Sequence, residues 1–408
     1  MSKLFAMEEL ETDLPESELE VSPEEGEVAD VQVQVEQEVS EVADDSAAID
    51  EGIEAADQLE QVEEVVSSAA EEGEGLDPVA AEAIKIAVEA ICARVGANPK
   101  TVYALYATEN FQSASSRKAN TKIALEGIGD FLKNLWTKIK TALLNLRAKA
   151  KAFFEKYFTT MGRVKEALKS SQVALAKTSG EVKGDKYIKE APSSLVDAFG
   201  VLGDVKSSSI EGFIKAHVEA DKVALEIASS GVVFASKAVE TVKAGKTIKA
   251  DFDDSLQFEL GTESKPLVGG LYIKYKLESV EDSVIATLEN ETVKKPETAG
   301  IFVDSKDALK TLLKSVSQVV ADASKNKESF TKREEEFSKA MKEMEKLVNE
   351  KAAAKDSDDS VKELNKAIKL IYKTNTKTPT ILTEKIALDL KLAKGVLGYT
   401  SFCMKHYK

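Results

Sequence analysis

The charges of this chain are divided between its two ends, and that division limits what can fold. Residues 1–82 hold 28 acidic side chains and one base, Lys3, whereas residues 83–408 hold 54 bases and 43 acids. A segment with so much like charge and almost no aromatic residues cannot bury enough apolar surface to offset the entropy lost on ordering. We therefore predict a disordered acidic arm over residues 1–76, in which a short run of Leu and Val has the spacing of a helix that a partner could induce.

The rest of the chain has the composition of a helical protein with a charged surface. It is rich in Ala, Leu, Lys and Glu, and its length allows a sizeable core. Cys92 and Cys403 lie far apart without metal-ligand or redox spacing, which predicts two buried free thiols in a reducing compartment. The acidic start predicts no secretory signal, and no apolar run reaches the roughly 18 residues of a membrane span. We expect a soluble protein made in a cytoplasm.

Order should begin at a helix start signal. Asp77 followed by Pro78 is typical of an N-cap and first helical residue, and the helix should end near Gly96. Residues 77–126 are predicted to be helical. They include a second helix through Val102, and residues 112–117 form a polar linker that we expect to be exposed.

A basic amphipathic helical region is predicted over residues 127–180. Apolar residues recur at three- and four-residue steps, and the opposite side carries many cations. The candidate DNA-binding residues are Lys133, Lys138, Lys140, Arg147, Lys149, Lys151 and Lys156. Three interpretations remain open: a surface for nucleic-acid phosphates, a helix for a membrane surface, and a core-facing helix with solvated lysines.

The middle of the chain, residues 181–303, is predicted to be an α+β region. Strand-like alternation at 255–260, 271–277 and 284–288, with glycine-rich turns between, indicates a small antiparallel sheet packed on helices.

Residues 304–408 are predicted to form a long antiparallel helical hairpin. Apolar residues from Leu309 to Val348 follow a four-three alternation that only Lys327 and Glu334 interrupt, and a polar stretch at 355–360 marks the turn. An intermolecular coiled coil is the alternative form.

The chain offers little for catalysis. His217 and His406 are the two histidines, and neither has the spacing of a metal site or a nucleophilic site, so both are expected to be surface or partly packed residues. The glycine-rich pieces lack phosphate-loop patterns, and Asp251, Asp253 and Asp254 are not followed by a calcium-binding loop. We predict no enzyme activity, no catalytic residues, no metal and no cofactor. The opposing hypothesis, a hydrolase, would need catalytic carboxylates within 181–303.

Protease cleavage could separate the acidic and basic parts. Ala124, Leu125 and Glu126 followed by Gly127 place a small residue two positions before a glutamate, close to the polar linker. Similar sequences end at Glu51, Glu71 and Glu82.

Several segments of the chain together resemble those of a known protein family. The stretch from Leu76-Asp77-Pro78 through Ser113–Arg117, Thr121–Ile128 and Phe131–Trp136 resembles the internal head proteins, or prohead core proteins, of large tailed bacteriophages. The resemblance covers roughly residues 76–160. It implies a non-enzymatic virion protein inside the capsid, made with an acidic propeptide that the prohead protease removes after glutamate. It also implies association with major capsid or scaffold proteins, and afterwards with packaged double-stranded DNA.

The charge division suggests how such processing would act. Residues 127–408 hold 48 bases and 40 acids, so removal of residues 1–126 would leave a cationic chain that DNA attracts without sequence preference. The alternative is an interaction protein whose acidic arm masks an amphipathic membrane-binding helix, although a membrane partner is not expected.

Overall fold

The computed structural model describes residues 23–71, 73–97, 111–178, 186–245, 267–280, 283–292, 298–354 and 358–407. Its elements in chain order are α1 (Pro23–Glu71), α2 (Pro78–Arg94), α3 (Ala114–Lys177), β1 (Tyr187–Ile188), α4 (Ser193–Phe199), α5 (Ser207–Lys243), β2 (Leu271–Val280), β3 (Ser283–Thr292), β4 (Ile301–Phe302), α6 (Lys306–Ala354) and α7 (Asp358–Lys405). The predicted fold class, mainly helical with a small antiparallel sheet, is confirmed.

Helix α7 lies at the centre of the helical packing. It contacts α1, α3, α5 and α6, and its carboxyl-terminal part also contacts α4. Two large apolar clusters lie along it. One joins α1, α2, the first part of α3 and the first part of α7, and the other joins the second part of α3, α4, the start of α6 and the end of α7. The central helix therefore connects both halves of the core.

Helix α1 corrects the prediction of a disordered arm for residues 23–71. Residues 23–71 form one helix of 49 residues, and residues 1–22 lie outside the described part of the chain. One stripe of buried positions on α1 follows the four-three spacing of long packed helices. Its members are Val35, Val42, Ser46, Ile49, Ile53 and Ala56, and Ala55, Leu59, Val66 and Ala70 are buried as well. Small and polar members weaken this stripe in the sequence, and burial against neighbouring helices supplies the stability that α1 lacks alone.

Helix α2 begins as predicted. The Asp77 carboxylate accepts a hydrogen bond of 2.8 Å from the backbone N–H of Ala80, and Pro78 is the first helical residue. The chain leaves the helix through Gly96, whose φ of 62° is a left-handed conformation that glycine adopts without strain. The predicted helix through Val102 lies outside the described residues.

Helix α3 unites segments that the sequence analysis separated. It runs without interruption over 64 residues, from Ala114 to Lys177. Gln112 and Ser113 are exposed, as expected for the linker, but Ser113 is already the N-cap, so residues 114–117 are helical. The predicted linker is therefore much shorter than six residues.

The β-structure consists of two small antiparallel pairs in the described ranges. Strands β2 and β3 pair from Leu271 opposite Thr292 to Val280 opposite Ser283, which confirms the two later predicted strands. The predicted strand at 255–260 lies outside the described residues. The second pair joins β1 to β4 across a long sequence separation.

The C-terminal helical hairpin is confirmed. Phe302 and Asp304, which lead into α6, meet the far end of α7, where the Tyr399 hydroxyl donates 2.9 Å and 2.5 Å hydrogen bonds to Phe302 O and Asp304 Oδ2. Cys92 and Cys403 are free and buried, as predicted. In the described part of the chain, none of the helices has an apolar stretch long enough to cross a membrane.

Candidate functional site: the acidic helix and the lysines beside it

The acidic helix α1 lies antiparallel to α3. Gly52 lies against Ile139, and further along, Gly129 of α3 approaches the carboxylate of Glu63. Helix α1 also lies along α7, where the Ser46 hydroxyl donates a 3.3 Å hydrogen bond to the backbone carbonyl of Thr376. Helix α1 thus lies beside both α3 and α7, the two helices that carry its cationic partners.

Two predicted DNA-binding lysines of α3 are paired with α1. Lys149 Nζ lies 2.5 Å from Asp45 Oδ2, and Lys156 forms an ion pair with Glu38. The hydrogen bond to Asp45 raises the pKa of Lys149, because it stabilises the charged form of the amine. The positive charges of these two lysines are therefore compensated by carboxylates of α1.

Helix α7 contributes three more lysines that the sequence analysis missed. Lys369 Nζ lies 2.7 Å from Asp57 Oδ1 and 3.4 Å from Glu60 Oε2. Lys373 Nζ lies 2.7 Å from Asp57 Oδ2. Lys377 forms an ion pair with a further acid of α1, Asp50.

A simple signal identifies these lysines. Lys369, Lys373 and Lys377 are separated by four residues each, so they share one face of a helix. In the hairpin they face the acidic helix. We define the α1 seat as Lys149, Lys156, Lys369, Lys373 and Lys377.

Part of the charged contact between α1 and its neighbouring helices is buried. Burial raises the pKa of Glu60 and of Glu63, because desolvation disfavours their charged forms. The positive charge of Lys369 acts in the opposite direction and lowers the pKa of Glu60, but desolvation is the larger effect. Lys369 is itself buried. Helix α1 has 17 acids and no base, so the carboxylates that it buries against α7 are compensated by cations of another helix.

The predicted DNA-binding residues fall into four groups. Lys149 and Lys156 belong to the α1 seat, and Lys140 forms an ion pair with Glu345 of α6. Arg147 is buried. The remaining three have exposed side chains; they are Lys133, Lys138 and Lys151. The sequence pattern therefore does not correspond to one continuous cationic face.

Arg147 is a core residue, which corrects its assignment to a DNA-binding surface. Its guanidinium donates to both carboxylate oxygens of Glu334 at 2.8 Å and 2.7 Å, and it lies 3.7 Å from the centre of the Phe337 ring. A 3.5 Å bond to the side chain of Asn375 connects the pair to α7. Glu334, which interrupts the apolar stripe of α6, is thus the partner of a buried arginine.

The best-matched cleavage motif lies inside a helix. Ala124, Leu125, Glu126 and Gly127 fall in the early turns of α3, where the Ala124 side chain is fully buried. A protease needs an exposed and flexible segment. The helix therefore keeps this motif from a protease unless the start of α3 unfolds.

The secondary motifs differ in accessibility. Glu51 lies in the middle of α1, and Glu82 lies in α2. Glu71 is the exposed last residue of α1, and residues 73–77 beyond it are not helical. Of the four predicted positions, Glu71 alone lies at the end of a helix.

Two further expectations are changed by the packing. The apolar side of α3, including Ile128, Leu135 and Leu146, is buried in the core, so the packing does not favour the membrane interpretation. His217 is fully buried in a network of charged residues, and the expectation of a surface or partly packed histidine was wrong for it.

The comparisons with known proteins agree with the resemblance noted in the sequence. Neither the curated proteins nor the solved structures gave a significant match. The profile of the family described as phiKZ-like phage internal head proteins matches residues 30–399, which include most of α1 and of α7. The chain belongs to the phiKZ-like phage internal head proteins.

Proposed function

We propose that the protein is a structural, non-catalytic component of the phage head. In this proposal its acidic helix α1 covers lysines that bind DNA once the helix is displaced. The prohead protease cuts the chain inside the assembling head. The major capsid or scaffold proteins are its early partners. The matured protein then stays inside the capsid with packaged double-stranded DNA.

One observation supports the masking step most directly. All five lysines of the α1 seat are paired with carboxylates of a single helix, and we infer that DNA phosphates would take the places of those carboxylates. Duplex DNA presents a negative charge about every 1.7 Å along its axis, and proteins bind it by placing Lys and Arg against those charges. DNA and α1 would therefore compete for the same cations.

The accessible glutamate indicates where the cut would fall. We propose Glu71 as the principal position in place of Glu126, because α1 ends there and α3 holds the other motif in a helix. A cut after Glu71 leaves residues 72–408 with 54 bases and 47 acids, a net charge of +7. Residues 127–408 have a net charge of +8, so the earlier cut gives almost the same reversal.

Cleavage at Glu71 would not by itself release α1. Ile53, Ala56 and Leu59 of α1 are fully buried in the core, and those contacts do not depend on the peptide bond that is cut. We propose that packaged DNA completes the exchange by competing for the seat at high local concentration. The cut favours that exchange, because a displaced helix that is no longer tethered has a much lower effective concentration at the seat.

Charge-neutralising variants of the full chain test the masking. We expect the triple variant D45N/D50N/D57N, which frees lysines of the seat, to bind duplex DNA more tightly than the wild type at moderate salt. The matched control is E51Q/E54Q/E64Q, which removes the same charge from exposed positions of the same helix. Equal gains in both variants would show that net charge alone matters, and no gain in either would reject the masking.

The processing step is tested on the native particle. Mass spectrometry of the protein from purified virions should find a new N-terminus at residue 72. An N-terminus at Gly127 would instead mean that α3 unfolds at its start before cleavage. An intact N-terminus in virions would contradict proteolytic maturation.

A further inference from the structure

A second group of charges lies in the core, roughly two helical turns beyond Lys377 of the α1 seat along α7. The group comprises His217 and Asp221 of α5 and Lys385 and Asp389 of α7, with exposed side-chain fractions of 0%, 18%, 4% and 1%. We call these four residues the buried charge cluster. Burial of several ionisable groups is costly unless their charges are balanced and bonded.

The hydrogen bonds of His217 fix its protonation state. Its Nε2 atom accepts a 3.3 Å hydrogen bond from the backbone N–H of Val268, so this nitrogen holds no proton. Its Nδ1 atom lies 3.1 Å from Asp389 Oδ1 and therefore donates to that carboxylate. The ring is neutral in this arrangement, because an imidazolium would have to break the bond to Val268.

The remaining charges do not balance. Lys385 Nζ lies 2.7 Å from Asp221 Oδ1 and is also paired with Asp389. One ammonium thus faces two carboxylates, and the neutral histidine adds no positive charge. Two other groups among the described residues add no positive charge, since Asp322 of α6 adds negative charge near Asp221 and the buried Tyr157 hydroxyl of α3 is neutral.

We propose that the buried charge cluster binds one proton on folding, held by Asp221, and that loss of this proton weakens the contact between α5 and α7. Asp389 is the carboxylate that stays ionised, because it accepts bonds from both His217 and Lys385. Asp221 has Lys385 alone as its cationic partner in the cluster.

The direction of the pH effect follows from two opposing groups. Burial raises the pKa of Asp221 to about 7, so its protonation favours the fold in acid and this contribution is lost as pH rises through 7. Burial lowers the pKa of His217 from its ordinary 6.5, so the fold loses stability as pH falls and the unfolded histidine takes up a proton. In the wild type, the two contributions to the pH dependence of stability have opposite signs and partly cancel.

In a variant that lacks Asp221 or His217, the pH dependence of stability caused by the other group should become measurable. The quantity to measure is the ratio of the folding equilibrium constants at pH 6 and pH 8, from chemical denaturation of the full-length protein. Relative to the wild type, D221N should lower this ratio about tenfold, and H217Q should raise it about fourfold. The control D307N alters an aspartate whose side chain is 91% exposed, and it should leave the ratio unchanged. Equal ratios for D221N and the wild type would overturn the proposal.

The wild-type protein provides a test that needs no variant. The chain has two histidines, so ¹⁵N-labelled imidazoles give few signals. His217 should remain neutral at pH 5.5, with the proton on Nδ1. A protonated His217 at that pH would reject the charge balance, because an imidazolium would remove the need for a proton on Asp221.

Discussion

The substitution Leu59→Ala tests whether the acidic helix is part of the folded core. Leu59 has no exposed surface and lies in the apolar cluster that α1 shares with α3 and α7. If α1 were the disordered arm that its composition suggests, shortening this side chain would not change the free energy of unfolding. The two alternatives thus differ by a measurable amount.

The expected magnitude follows from the burial of this side chain. Leu→Ala removes about three methylene equivalents, at about 0.8 kcal/mol each, or roughly 2.4 kcal/mol of transfer free energy. The cavity left behind adds to this, so substitutions at fully buried leucines typically cost about 3–5 kcal/mol. We expect L59A to lower the free energy of unfolding within that range.

Urea denaturation followed by circular dichroism would measure the effect. The midpoint should shift to lower urea while the slope stays constant, because a changed midpoint at constant slope reports a change in stability. Val65→Ala is the matched control, since Val65 lies on the same helix with 56% of its surface exposed. That control should change stability by about 0.5 kcal/mol or less. Equal effects of L59A and V65A would refute the assignment of α1 to the core.

Three further predictions concern other contacts. Arg147→Met should destabilise the protein by about 3–5 kcal/mol in urea denaturation, because it leaves the Glu334 carboxylate buried without its partner; adding E334Q to R147M should recover part of the loss, and no recovery would argue against the pair. Gly75→Ala should lower the melting temperature more than Gly96→Ala, since a Cβ at Gly75 would lie 2.6 Å from the backbone of α3 and none would clash at Gly96; equal shifts would contradict this packing. Lys149→Ala should cost less than about 1 kcal/mol, as half-exposed ion pairs do, and a larger loss would show that the lysine has a core role.

The fate of Lys140, Lys149 and Arg147 shows the limit of reading charge from one helix. Periodicity places all three beside the main apolar stripe of α3, where the sequence alone predicts solvated cations. It does not reveal that α1 and α6 pack along the two sides of that stripe and pair with these residues. A cation beside an apolar face can point to solvent or to a neighbouring helix, and the neighbour decides which.

The same reasoning applies to the cleavage motif and to the buried histidine. Residues 124–127 satisfy the sequence pattern of a cleavage site. A protease also needs an exposed and flexible segment, and α3 is helical there. His217 has no charged neighbour in sequence with catalytic spacing, yet folding brings Asp389 within 3.1 Å of it from 172 residues away.

The sequence by itself determined the helical class, the start of α2, the β2–β3 pair, the C-terminal hairpin and the family, because these depend on local signals and on the order of residues. Only the tertiary structure decided that the acidic segment is a core helix and that its partners are Lys369, Lys373 and Lys377. The physical reason is that a helix of like charges is unstable alone and becomes stable when distant cations and apolar side chains surround it. That stabilisation comes from residues about 300 positions away, which no local pattern records.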